Sequence, residues 1–169
     1  MANLFEEKLK SFMETKGIQG KHYVFSQSCH SVAEAAAAVG GRPEDLVKNV
    51  CLMDENSRII VAIVKGEDRV STSRVAQALG IRKVRTASPA EVLERTGYPA
   101  GGTPSFGYEA IFLIDPKVME KETVYTGGGS ENSLVLISPP ELQRANQGRI
   151  VRIRKQSGSK SSEKLLVSP

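Results

Sequence analysis

The sequence predicts an α+β fold: a single compact domain in which a mixed, curled, partly barrel-like β-sheet is flanked by short helices. Three observations predict it. Apolar runs of strand length are interleaved with helical segments in an irregular order, without the βαβα alternation of a parallel sheet. Helix starts are marked by Ser or Asn followed three residues later by Glu. Glycines stop the same segments.

In chain order, Leu4, Phe5, Leu9, Phe12 and Met13 recur at helical spacing, with Asn3 and Glu6 placed as a capping box. Tyr23 to Phe25 reads as a strand. Ser31 and Glu34 form a second box before the alanine-rich helix Ala33 to Val39, which Gly40 and Gly41 end. Pro43 suits the first position of a brief helix, and Asn49 to Met53 reads as a buried strand. Asp54 to Ser57 is a turn, so Arg58 to Val64 should fold back as a hairpin partner. Ser73 to Leu79 is helical and stops at Gly80. Ser88, Pro89 and Glu91 open another helix, closed by Gly97. Further strands are expected at Ala110 to Ile114, Thr123 to Thr126, Ser133 to Ile137 and Arg149 to Ile153, with a helix capped by Ser138 and Glu141 between the last two.

The chain has 169 residues, 40% of them hydrophobic and 25% charged, which is enough for one real core and ordinary for a folded domain. Residues 1–155 are expected to form that domain and the polar stretch 156–169 a disordered tail. Cys29 and Cys51, without a Cys-x-x-Cys spacing and with only His22 and His30 beside them, do not complete a zinc set, so reduced thiols and no metal are expected. No apolar run reaches the ~18 residues of a membrane span, and the N-terminus lacks the order of a signal peptide. A cytoplasmic location is the expectation. A net charge of +4 permits an RNA partner without pointing to one.

Two glycine-rich stretches could bring backbone amides onto a ligand: Gly97 to Gly107, and Thr126 to Ser130. They equally suit ordinary loops. Neither matches a Walker A or a dinucleotide fingerprint, which argues against nucleotide hydrolysis and hydride transfer. Lys48 stands where a short acidic helix gives way to an apolar strand. There it could hold a phosphate or a carbonyl oxygen as a compact point charge, or lie solvated on the surface.

The strings Leu46-Val47-Lys48-Asn49-Val50 ahead of a hairpin, Thr96-Gly97-Tyr98-Pro99-Ala100-Gly101-Gly102-Thr103-Pro104, and Gly127-Gly128-Gly129-Ser130-Glu131-Asn132-Ser133-Leu134 with Ser138-Pro139 occur in that order. Together with the Ala33-to-Ala38 helix they cover about residues 30 to 147. In this combination the chain resembles the YbaK/prolyl-tRNA-synthetase-associated editing-domain family.

The resemblance implies a stand-alone deacylase that hydrolyses the ester of mischarged tRNA, typically alanyl- or cysteinyl-tRNA for proline. It implies tRNA, and potentially prolyl-tRNA synthetase, as partners, and no cofactor. Lys48 matches the lysine that contacts substrate in the pocket, and Gly101 matches the glycine lining the acyl site; amides around Gly101 and Gly102 would stabilise the oxyanion. Asn49, Thr103, Pro104, Gly128, Gly129, Ser130 and Asn132 are the expected substrate contacts. The chain departs from the family pattern twice: Asn49 replaces the common threonine, and Ser105 takes the usual place of a proline, with Pro104 one position early. The substrate's own ribose hydroxyl would orient the attacking water, and pocket size would exclude a bulkier cognate amino acid.

Among residues outside the resemblance, Cys29 and His30 should point to opposite faces of an extended segment and so not pair. Ser71 to Ser73 should cap a helix. Arg149, Arg152, Arg154 and Lys155 could lie along tRNA phosphates or form a solvated face. Two rival classes remain open: a non-catalytic module binding the tRNA acceptor end, and a hydrolase or binder of another small acyl or nucleotide ligand.

Overall fold

The structure, a computed structural model, describes residues 3–156. Six helices and eight strands follow one another as α1 Leu4–Lys16, β1 Gly20–Val24, α2 Val32–Val39, β2 Val47–Asp54, β3 Ile59–Lys65, α3 Thr72–Leu79, β4 Val84–Thr86, α4 Pro89–Thr96, β5 Ile111–Ile114, α5 Pro116–Met119, β6 Val124–Gly127, β7 Ser133–Ile137, α6 Pro139–Asn146 and β8 Arg149–Ile150, with one 3₁₀ turn at Pro43–Asp45. The α+β class is as expected; the single curled sheet is not. The strands form two sheets, an antiparallel β1-β7-β6 and a mixed β4-β2-β3-β5-β8, and neither closes into a barrel. They meet at one bridge, Leu46 to Tyr125.

Alternation along the long strands builds two cores on opposite faces of the larger sheet. Cys51, Met53, Val61, Ile63 and Ile114 face α1, α4, α6 and the smaller sheet. Leu52, Ile60, Ala62, Val64 and Leu113 face Val75 of α3 and Ile153. A strand apolar on both sides must be covered on both sides, which is why β3, with Ile60 to Val64 fully inaccessible, is the centre of the molecule.

The helix caps follow the sequence signals. Ser31 and Ser88 make complete capping boxes with Glu34 and Glu91. Ser71 caps α3 through the Arg74 amide, and Gly17, Gly40, Gly80 and Gly97 end helices at positive φ. The first box forms only in half. Asn3 accepts from the amides of Phe5 and Glu6, but the Glu6 carboxylate is buried and takes the Ser130 hydroxyl at 2.5 Å. Leu4, counted with the apolar stripe, is 82% exposed.

The C-terminal strand is shorter than expected because a carboxylate takes over from the ladder. Val151 still donates to the Ile114 carbonyl at 3.0 Å. The next two free amides, of Ile153 and Arg154, instead donate to the fully buried Asp115, which also receives Arg154 Nη1 at 2.8 Å. Arg154, named with the basic cluster in the sequence, thus has its Nη1 committed to Asp115. From residue 157 onward the expected polar tail lies outside the described residues. Removing one partner of such a pair leaves a buried charge unsatisfied. Asp115→Ala should lower unfolding free energy by about 3 kcal/mol or more; a denaturation midpoint unchanged from the native chain would show the tie to be dispensable.

Candidate functional site

The cleft exists because β2 is unevenly paired. On one side β3 pairs with it from Val47 to Met53. On the other, β4 covers only Leu52–Asp54, and β6 makes a backbone bridge at Leu46, just before the strand. The edge between, Val47–Val50, is left open where the two sheets part, and a cleft of about 350 Å³ runs along it. Its second wall is α2 with the segment leading into it, from Cys29 to Ala35. Ala100, Gly101 and Thr103 form its rim, and Tyr125–Gly127 with Leu134 its far side.

Four expected site residues meet there: Lys48, Asn49, Gly101 and Thr103. Strand alternation puts Lys48 on the face opposite Asn49. Its ammonium is half-buried and makes no ion pair among the described residues. Burial lowers its pKa below the ordinary lysine value, the nearby Arg69 charge adds to this, and Asp68 opposes it. A partly desolvated cation without a carboxylate partner favours an incoming anion or a polarised carbonyl.

Asn49 has a different task. Its Nδ2 donates to the Thr103 carbonyl and to Thr126 Oγ1, both at 3.0 Å, and its Oδ1 accepts from Ser105 Oγ at 2.6 Å. Ser105 Oγ and Thr126 Oγ1 are 2.7 Å apart, and both residues are buried. Asn49 thus spends its hydrogen-bonding capacity on joining β2, the first glycine loop and β6. The two departures from the family pattern, Asn49 and Ser105, are in direct contact, so each supplies the partner that the other needs.

The first glycine loop divides its labour. Gly101 lies against His30, where a Cβ would come within 2.0 Å of Nδ1, and its amide has no hydrogen-bond partner among the described residues. The Gly102 amide donates to the Pro99 carbonyl at 3.0 Å, so it is not free to stabilise an oxyanion as expected. Gly102 is glycine for another reason: a Cβ there would sit 2.5 Å from the Ser130 carbonyl oxygen. Pro104 is buried away from the cleft, its carbonyl taken by the Tyr108 hydroxyl.

Gly128, Gly129, Ser130 and Asn132, expected to touch substrate, form the buttress behind the rim. Gly129 donates to the Gly102 carbonyl at 2.8 Å and Gly128 to that of Ser133 at 3.0 Å. Asn132 Nδ2 donates to the Phe25 carbonyl at 2.8 Å. Ser130 sits 2.5 Å from Glu6 and 2.7 Å from Ser133. None of these four lines the cleft, whereas the neighbouring Thr126, Gly127 and Leu134 do.

The basic C-terminal residues do not form one patch. Arg149 is exposed and donates to the Ala78 carbonyl, and Arg152 has its Nε buried without a partner. Lys155 alone is brought beside Arg69, through a backbone bond of 2.7 Å to the Arg69 carbonyl. Arg69 and His30 were not singled out from sequence as site residues. Cys29 and His30 do point apart, Cys29 buried and His30 exposed, and burial followed by the Glu34 charge raises the Cys29 thiol above its ordinary range. Among the described residues no group of three or more His, Cys, Asp or Glu is placed to hold a metal, and no helix is long and apolar enough to cross a membrane.

Buried, mutually bonded polar groups couple strongly. Asn49→Ala and Ser105→Ala should each cost about 1–3 kcal/mol of stability, and the double substitution less than the sum; strict additivity in chemical denaturation would show that the two do not act together.

A family model described as the aminoacyl-tRNA editing domain matches residues 26–145, the stretch that carries every cleft wall. The uncharacterised protein YwhH of Bacillus subtilis (strain 168) is 28% identical over 128 residues, 75% of this chain and 81% of that protein. The multifunctional Ser/Thr-tRNA deacylase ProXp-y of Escherichia coli (strain K12) is 27% identical over 133 residues, 75% of this chain and 78% of its own length. A crystal structure described as a candidate trans-editing enzyme for prolyl tRNA synthetase superposes with a TM-score of 0.85 at 24% identity, over 92% of this chain and all of that one. With a motif-bearing cleft inside the matched region, which spans more than half of the chain, the chain belongs to the aminoacyl-tRNA editing domain family.

Proposed function

We propose that the chain acts in trans as an aminoacyl-tRNA deacylase, with alanyl- or cysteinyl-tRNA for proline as its substrate. The observation that carries this reading is the pairing of the Lys48 ammonium and the unpartnered Gly101 amide on one cleft whose inner wall is small and apolar, from Val32, Ala35, Leu46 and Leu134. An aminoacyl ester is already activated, so hydrolysis needs positioning, a water and stabilisation of the tetrahedral oxyanion, and no covalent nucleophile.

Lys48 holds a terminal phosphate oxygen or the ester carbonyl, and the Gly101 amide donates to the oxygen that gains charge. The apolar wall receives the amino-acid side chain. Small groups from α2 favour a small side chain over a bulkier cognate one, the second sieve of editing. The departing group is the ribose oxygen of the terminal adenosine. A neighbouring ribose hydroxyl of the substrate orients the water. Prolyl-tRNA synthetase is the natural supplier of the mischarged tRNA, and Arg69 with Lys155 offers its acceptor strand a positive approach to the cleft. A second reading, seryl- or threonyl-tRNA as substrate, is favoured by the hydroxyls of Ser31 and Thr126 in the lining and by the likeness to a Ser/Thr-tRNA deacylase.

The test is release of labelled amino acid from tRNA charged with alanine, cysteine, serine, threonine or proline. Alanine or cysteine should leave rapidly from tRNA for proline, with prolyl-tRNA spared. Lys48→Ala should slow release by about 100-fold or more at unchanged thermal stability. Release of serine or threonine alone would replace the substrate assignment, and no release from any of them would contradict the deacylase reading.

A further inference from the structure

Beyond Lys48 and Gly101, the cleft carries one more charged arrangement, at its mouth. His30 Nδ1 lies 3.3 Å from Glu131 Oε2, joining the segment before α2 to the loop between β6 and β7, and both side chains are exposed to solvent. The imidazole also packs on Gly101, so that a Cβ at that position would meet the ring unless the ring swung away. The ring thereby lies between a carboxylate and the Gly101 backbone at the rim of the cleft. Its own segment is fixed as well: the His30 amide donates to Ser28 Oγ at 3.2 Å, and Ser28 Oγ donates to Glu34 at 3.0 Å.

A neutral imidazole has one N–H and one lone pair, and the hydrogen bond made by one nitrogen decides the state of the other. With the Glu131 carboxylate nearest Nδ1, Nε2 is the ring nitrogen farther from that charge and the one assigned to the substrate. No other group of the lining serves as a proton acceptor near neutrality: Lys48 is a cation, the Cys29 thiol is raised by burial, and Tyr125 is a phenol. Histidine is the side chain whose ordinary titration spans neutral pH.

We propose, on the basis of the deacylase reading above, that His30 is the general base of the ester hydrolysis and that Glu131 is its positioning residue. As the water oxygen bonds to the carbonyl carbon, one water proton passes to Nε2. When the tetrahedral species collapses, the bond from carbon to the ribose oxygen breaks and Nε2 returns that proton to the departing oxygen. The products are the free amino acid and the uncharged tRNA end, with the histidine neutral again. Glu131 is the carboxylate nearest the ring, and Lys48 is the cationic group of the same lining. Glu34 on α2, the remaining charged group of this corner, is occupied by Ser28 and the Ser31 amide.

The experiment is single-turnover release from the mischarged tRNA that the native chain cleaves, between pH 5 and pH 9, for the native chain, His30→Gln and Glu131→Gln, with spontaneous hydrolysis subtracted. The native rate should rise to a plateau across the histidine range. His30→Gln should lie about 100-fold or more below that plateau and keep rising with hydroxide, while tRNA affinity and melting temperature stay unchanged. Glu131→Gln should lower the plateau rate while leaving tRNA affinity unchanged, and the native plateau in this variant would remove Glu131 from the assignment. A His30→Gln chain with the native plateau and native rate overturns the base assignment and leaves the deacylase reading standing. No release by the native chain from any charged tRNA overturns both.

Discussion

The cleft is held open by one half-buried carboxamide. Asn49 stands on the unpaired edge of β2 and ties that edge to the first glycine loop through Ser105 and the Thr103 carbonyl, and to β6 through Thr126. Without these bonds the two sheets would be joined near the cleft chiefly by the Leu46–Tyr125 bridge. A buried polar network of this kind must be complete or it is a liability, and here the Asn49 amide and carbonyl are both used. Lys48 is positioned as a consequence: its neighbour is fixed, so the strand cannot slide, and alternation turns the ammonium away from the network.

The same economy explains the glycines. A run of glycine is compatible with amides converging on a ligand and with two backbones in close approach, and this chain uses the two runs differently. Gly102, Gly127, Gly128 and Gly129 let the second run pack against the first and against α1 with no room for a Cβ. Gly101 meets instead the exposed His30 ring at the cleft rim. The N-terminal helix enters this arrangement through Glu6, which reaches the Ser130 hydroxyl 124 residues away.

What was legible in the sequence was local. The β2–β3 hairpin announced itself by its apolar run and by Asp54, whose side chain does accept the amides of Asn56 and Arg58. The caps of α2, α3, α4 and α6 were written in single residues. β4 and α5, at three and four residues, are too short to carry a period, and β8 stops early because Asp115, far away in sequence, takes its amides. The split into two sheets depends on which edge of β2 stays unpaired, which no local pattern encodes. At the site, Lys48 and Gly101 were carried by motif, whereas Gly128, Gly129, Ser130 and Asn132, named by the same motif, lie behind the cleft rim, bonded to backbone and to one another. His30 was readable only as a neighbour of Cys29 that should not pair with it, since its contacts, Glu131 and Gly101, lie 101 and 71 positions on.

The central claim is that the acyl end of a charged tRNA sits between Lys48, Gly101 and His30. The most direct measurement is amide NMR of the isotope-labelled chain titrated with adenosine carrying alanine through a non-hydrolysable 3′-amide. The account predicts saturable shifts concentrated at Lys48, Gly101, Thr103 and His30, weaker with the prolyl analogue. Shifts centred instead on the hollow between Met53 and Arg85, or no saturable shift at all, would contradict it.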